Sequence, residues 1–390
     1  MAARGLGILV FPILVAQLNE TELVNYDWVL TNIMLSLTFS VFGVDSAAGR
    51  ILANKNVNRV ELRDSSFSII LPQTFVTMAI LFFYIKMSGI LIQNIDLLFI
   101  FLLLVSSIIV NQVTNTAKWL LQRNNVIKIQ MSLGLLQASF LYLTYLIGVM
   151  NFTTALASQM AGAACSACYG LYLNKGGTPK FKFSRSVKTL FKKSSILGVN
   201  TVLASLYLAV EKNIIYKTAS SYEASSYLVH LKVVLLFSFA LSALQISLAP
   251  HLIKILQAEQ ISKFLISNLI VLIFVLLCGA IFILMAPVIF ELFSQKHFFN
   301  FQLMKMLLII QVLIIFVALC ETFFIFLEKY KSLLFLNFVH LFVFVVASLY
   351  SSDKNIEIII LIALISLALK LTLMLISNVY YLSSTVKKFG

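Results

Sequence analysis

Residues 361–375 read LIALISLALKLTLML. Fourteen of the fifteen avoid charge, and the exception, Lys370, sits in the middle. The run continues apolar on both sides, over 357–382. A helix needs roughly 20 apolar residues to cross the hydrocarbon core of a bilayer. This stretch is therefore long enough to cross, and it carries an ammonium group to mid-depth. A charge there costs roughly 2.5–3.5 kcal/mol on insertion scales, so it implies a partner or a wet cavity.

The same pattern repeats along the chain. Apolar segments can be cut at about 2–17, 26–52, 66–91, 95–120, 126–149, 152–173, 195–212, 223–248, 264–290, 301–327, 332–350 and 357–382. Of the 390 residues, 61% are hydrophobic and 11% charged, against roughly 25% charged in a soluble domain. Lipid demands that each segment satisfy its own backbone hydrogen bonds, and the runs are too long for barrel strands, so helices are expected. The expected fold class is all-α, a polytopic membrane protein of about twelve transmembrane helices in two six-helix lobes around a central cavity. The opening stretch, MAARGLGILVFPILVAQL, has a long apolar core with no clear cleavage site before Asn19 and is read as the first span.

Lysine and arginine set the orientation. With the N-terminus inside, the inner loops hold eighteen of them and the outer loops five. Both ends are then cytoplasmic. The most basic segment, NKGGTPKFKFSRSVKTLFKK, falls at the midpoint. The expected division is an N-terminal lobe at 1–173, a basic cytoplasmic linker at 174–193 and a C-terminal lobe at 194–390, with SVKTLFKKSS as a short interfacial helix before the seventh span. The net charge of +14 follows from this topology and from attraction to anionic lipid headgroups. Nucleic acid is not an expected partner, since no solvated basic face is available.

Function is sought among charges inside the spans. FGVDSAAGR, residues 42–50, closes the second segment and places Asp45 and Arg50 toward its inner end, at a depth similar to Arg4 of the first. Two readings of Asp45 stand: a structural ion pair with Arg4 or Arg50, or a carboxylate that titrates or binds a cation during transport. In the second half, Lys232, Lys305 and Lys370 lie in apolar runs with Glu321 as the one deep carboxylate. An anionic substrate would supply the missing negative charge at Lys232 and Lys370, with Lys305 near the surface. Asn111, Asn115, Lys118 and Gln122 fall on one helical face, as do Asn200, Ala204, Tyr207 and Glu211; such stripes either line a cavity or join helices. Glu211 and Lys212 read as an exposed pair. Pro12, Pro72 and Pro287 interrupt spans. Cys165 and Cys168, in CSAC, read as small packing residues on a helix, and no cluster has metal-ligand spacing. Neither a nucleophile–base pair nor a nucleotide-binding P-loop is present, so neither enzymatic activity nor a cofactor is expected.

On RGLGILVFPILVAQLNETELVNYDWV, FGVDSAAGR and EKNIIYKTASSYEASSYLVHLKVV, the chain resembles the polysaccharide-repeat-unit flippases. These are the O-antigen and exopolysaccharide exporters of the multidrug/oligosaccharidyl-lipid/polysaccharide (MOP) superfamily. It departs from them in having Lys212 where an arginine is usual. The resemblance implies two six-helix lobes forming a V-shaped cavity in the bacterial inner membrane, open alternately to each side. The implied substrate is an oligosaccharide unit on polyprenyl pyrophosphate, turned to the outer leaflet for lipopolysaccharide or related surface polymers. Cationic residues would meet the pyrophosphate, and Arg4, Asn111, Asn115, Lys118, Lys232 and Lys370 are the candidate substrate ligands. Asp45, Arg50 and Glu321 are candidates for ion coupling or structure, with proton or sodium as the ion. A polysaccharide polymerase is the implied consumer of product. The rival readings are an ion-coupled multidrug antiporter of the same superfamily, which would want buried acids and few buried lysines, and a membrane-embedded polymerase or ligase.

Overall fold

The computed structural model describes residues 2–52, 58–88, 94–119, 122–173, 180–181, 185–238, 261–292, 295–326, 329–351 and 355–389. Some helical side chains, those of Arg4 and Arg50 included, lie outside the described set, so the expected pairing of either with Asp45 does too.

The described residues are helical almost throughout: α1 (Ala2–Gln17), α2 (Glu20–Val41), α3 (Val44–Leu52), α4 (Arg59–Ser88), α5 (Asn94–Trp119), α6 (Arg123–Leu146), α7 (Phe152–Leu173), α8 (Arg185–Thr218), α9 (221–238), α10 (Ile261–Leu292), α11 (Phe301–Phe326), α12 (Tyr330–Tyr350) and α13 (Ile356–Phe389). Because α2 and α3 share the second apolar segment, these helices correspond to the twelve runs of the sequence. Eight described helices are long and apolar enough to cross a membrane. Pro12, Pro72 and Pro287 all lie inside helices.

Three boundaries differ from expectation. The second segment is not one helix: Phe42 (φ 40°) and Gly43 (φ 69°) adopt left-handed backbone and end α2. Glycine tolerates that region without cost, and the Phe42 N–H still bonds to the Thr38 carbonyl. Asp45 thus falls in the first turn of a separate helix, α3, rather than toward the end of a continuous span. Second, α4 starts at Arg59 and makes helix of residues expected in a loop. There Asp64 accepts from the Arg63 guanidinium (2.8 Å) and from the backbone N–H of Lys180 (3.2 Å), with both side chains buried. Third, no separate interfacial helix precedes the seventh span; α8 runs unbroken from Arg185.

The chain divides into two compact units, Met1–Asn213 and Ile214–Gly390, with the division inside α8. In the first unit α7 packs on α5 and α6, α1 on α6, α2 on α4 and α5, and α3 on α4 and α5. Its apolar centre is Val110, Val113 and Ala117 of α5 against Ile129 of α6 and Ala167 of α7. Small residues Gly162, Ala163, Ser166, Ala167 and Gly170 are the buried face of α7, which lets the backbones approach. Cys165 and Cys168 are free thiols on the exposed side of that helix, not packing residues. In the second unit α13 packs on α11 and α12, and α10 on α11.

α2 and α9 begin alike. Asn19 and Glu22 form a reciprocal capping box, and Ser220 and Glu223 form another. Each supplies acceptors and donors that the first helical turn lacks. Each box follows a short turn out of the helix before it, α1 in one case and α8 in the other.

Candidate functional site

Three groups of polar side chains are held among apolar helices. The first is at the Gly43 end of the first unit. On α5, the Lys118 ammonium donates to Asn115 Oδ1 (3.1 Å), and Asn115 Nδ2 donates to Asn111 Oδ1 (3.3 Å). The i, i+4, i+7 spacing turns all three side chains to one face. Asp45 of α3 faces this ladder: Asn115, Lys118 and Asn111 are the groups that act on its carboxylate. Its Oδ1 is buried with no hydrogen-bond partner of good geometry. A buried carboxylate oxygen in that condition is costly, and it is offset here by a nearby ammonium on another helix. Asn115 is buried, while Lys118 is exposed. Gln122 does not extend the stripe. α5 ends at Trp119, and Gln122 accepts from Asn125 in the turn that opens α6.

The second group is at the other end of α2. Lys212 of α8 reaches the Asp27 carboxylate (2.5 Å) and the Thr31 hydroxyl (3.1 Å). Next to it, the Trp28 indole N–H donates to Asn213 Oδ1. Asp27 is buried. Lys212 is therefore not half of an exposed pair with Glu211. Glu211 is itself buried, beside Tyr207, on the α8 face that also buries Asn200.

The third group is in the second unit. Lys370 of α13, 6% exposed, donates to Glu321 of α11 at 2.8 Å. This corrects the expected surplus of deep positive charge: the lysine at mid-span is matched by a protein carboxylate. His340 of α12 lies within electrostatic reach of the same ammonium, and Asn337 and Ser366 are buried on the helices that carry them. Of the other two lysines, Lys232 is half-buried on α9. Lys305 is exposed on α11, with its ammonium over the Phe301 ring at 5.5 Å.

No family model and no curated protein matches the chain. Solved structures do. An outward-facing multidrug resistance transporter of the MATE family, in the MOP superfamily, superposes with a TM-score of 0.68 at 14% identity, over 99% of this chain and 94% of its own. The lipid II flippase MurJ, in an inward closed conformation, gives 0.67 at 13% identity, over 96% and 85%. The chain shares the fold of these two structures. A MOP transporter from Pyrococcus furiosus, described as having a binding pocket of reverse polarity, gives 0.64 at 13% identity, over 98% and 93%.

Within this fold, the structure brings Asp45 together with Asn111, Asn115 and Lys118, and Glu321 with Lys370; Lys232 stands in neither group. Reasoning from sequence missed Asp27, the partner of Lys212, and His340. Asp27 was legible only as an acid one residue inside the mouth of an apolar segment. His340 was legible as a lone histidine in LNFVHLFVF. Among the described residues no His, Cys, Asp and Glu group could hold a metal ion.

Proposed function

We propose that this chain is a flippase for polyprenyl-pyrophosphate-linked oligosaccharide, moving the repeat unit to the outer leaflet for surface polysaccharide such as O-antigen. The observation that carries the reading is the ladder Lys118–Asn115–Asn111 facing Asp45. Amide groups donate and accept at once, as sugar hydroxyls require, and an ammonium is a point charge for phosphate. In this reading Lys118 meets the pyrophosphate, with Lys232 and Arg4 as further cationic contacts. Asn111 and Asn115 bind sugar, and Asp45 holds the ladder in register. The prenyl tail stays in lipid. No bond is made or broken in the substrate; the drive comes from a proton or sodium gradient, with Asp45 and Glu321 as coupling carboxylates, or from a polymerase that consumes the product. Lys370 enters as the partner of Glu321.

A second reading, an ion-coupled multidrug antiporter, is favoured by one observation: the mid-span lysine is neutralised by Glu321, so the second unit does not carry the excess cation that would repel a cationic drug. The two are separated by reconstituting the full chain in liposomes. A fluorescent polyprenyl-pyrophosphate oligosaccharide should change leaflet, and Asn115→Ala and Lys118→Ala should each abolish this in protein that remains inserted. Proton-driven export of a lipophilic cation with no movement of the lipid-linked sugar would replace the first reading by the second.

A further inference from the structure

α8 is longer than a hydrocarbon core is thick. It runs for 34 residues, Arg185–Thr218, about 51 Å at 1.5 Å per residue, against a core of about 30 Å. Its uncharged part, Ser194 to Val210, is seventeen residues, about 26 Å. With that part in hydrocarbon, the turns from Lys193 back to Lys188 reach about 9 Å beyond it, through a headgroup layer roughly 5–8 Å deep. These turns belong to the first compact unit, as does the start of α4 beside them.

The helix has two faces there. Leu190 and Ser194 are buried on one, and the Ser186 hydroxyl pairs with that of Ser65 on α4 at 3.0 Å, so the turns are fixed in place. Lys188, Phe191, Lys192 and Lys193 are exposed. At 3.6 residues per turn the three lysines share an arc of about 140°, and Phe191 stands at its edge, about 60° from Lys188. Lys180, whose backbone N–H is held by the buried Asp64 carboxylate, and Arg59, at the start of α4, are exposed at the same end. Against these bases the start of α4 sets one exposed acid, Glu61. Among the described residues, no carboxylate pairs with Lys188, Lys192 or Lys193. Net charge alone would spread headgroup contacts evenly over every basic loop. Here the cations are gathered on one rigid face at headgroup depth, with an aromatic ring beside them that suits the boundary with the acyl chains.

We propose that the first turns of α8 are a headgroup site for an anionic glycerophospholipid. The ammonium groups of Lys188, Lys192 and Lys193 take its phosphate, and Phe191 lies against the first carbons of its acyl chains.

The test is native mass spectrometry of the purified full chain in detergent, equilibrated with equal amounts of phosphatidylglycerol and phosphatidylcholine. The chain should hold its first, tightest lipid as phosphatidylglycerol. Lys188→Gln with Lys192→Gln and Lys193→Gln should weaken that lipid roughly a hundredfold, about fivefold per lysine. Arginine at the same three positions should keep it. Lys217→Gln, an exposed lysine at the other end of α8, should change it by less than about twofold. Equal retention of the two lipids would overturn the proposal, as would a triple glutamine variant that holds phosphatidylglycerol as before. Displacement of the tightest phosphatidylglycerol by an equal amount of polyprenyl pyrophosphate would overturn it too, by giving the lysines to a prenyl diphosphate instead. Lys118→Ala, which tests the flippase reading, should leave phosphatidylglycerol retention as it is, so the two readings fail on different variants.

Discussion

The first unit joins α2 and α3 to distant helices through lysines near helix ends, and α4 carries the buried Arg63–Asp64 pair beside them; the second carries an ion pair inside its packed helices. In the first, Asp27–Lys212 and the Asp45 ladder both join stretches far apart in sequence, and in each the lysine retains some exposure. In the second, Lys370 is enclosed by α11, α12 and α13, next to His340. At His230 of the same unit the contacts are neutral: the buried ring lies 2.7 Å from the Ser226 carbonyl and accepts from the Asn300 N–H at 2.9 Å. The difference teaches that depth decides what a pair can do. In the first unit the lysine is the more exposed partner and can trade its carboxylate for water; in the second the lysine is enclosed and the carboxylate keeps 26% of its side chain exposed, so the ammonium depends on Glu321.

The largest effect should come from splitting that pair. Lys370→Met leaves Glu321 without its cation and should cost about 3 kcal/mol, the low end for a buried pair because Glu321 keeps 26% of its side chain exposed, read as a fall in thermal unfolding temperature in detergent. The double variant with Glu321→Gln should recover most of it. The matching change in the first unit, Lys118→Met, should cost under about 1 kcal/mol, because that ammonium is exposed. Equal losses at Lys118 and Lys370 would erase the contrast between the units.

Next in size is the crossing of Gly43 with Gly198 on α8, where a Cβ on Gly43 would lie 2.7 Å from Gly198 Cα. Gly198→Ala should cost about 1–3 kcal/mol by overpacking against Phe42. Gly43→Ala should cost more, since its left-handed backbone adds about 1–2 kcal/mol for a residue with a Cβ. Chemical unfolding of the two variants measures both. Removing the neutral bond from Trp28 to Asn213, Trp28→Phe, should cost about 0.5–1.5 kcal/mol, and the same unfolding series ranks it below the glycines.

The smallest effects should be equal in the two units. Asn19→Ala and Ser220→Ala each remove the acceptor of a capping box and should each cost about 1 kcal/mol, seen as faster amide exchange in the first turns of α2 and α9. A marked inequality would show that one of the two turns bears tertiary load that the other does not.

Much of this was legible in the sequence. Apolar run length is enough to name the helices, because lipid leaves the backbone no other way to pair. The α5 stripe follows from spacing alone, and Lys370 and Asp45 stand out as charges among apolar neighbours. What the sequence does not carry is who meets whom. Helical period places Asp45 and Lys118 on their own helices and says nothing about which helices touch, so Arg4 and Arg50, nearer in sequence, were the partners considered. That Glu321 meets Lys370 was not legible either, because the contact of α11 with α13 has no signature in either run. The start of α8 was placed too late because the basic residues of SVKTLFKKSS read as a separate interfacial helix, although a helix that emerges from lipid carries such residues equally well. Asp27 was passed over because the segment was taken to begin at Tyr26, which put the acid at its mouth.

The crossing of Gly43 with Gly198 also fixes what lengths the chain can tolerate. Fifteen steps separate Trp28 from Gly43, and fifteen separate Gly198 from Asn213; at 1.5 Å per residue each is a rod of about 22 Å. One residue gained or lost in either stretch would rotate everything beyond it by about 100° and slide the ammonium of Lys212 off its carboxylate. Insertions anywhere between Val44 and Leu197 leave both rods untouched. Natural length variation among relatives of this chain should therefore collect in that interval and avoid the two fifteen-residue rulers.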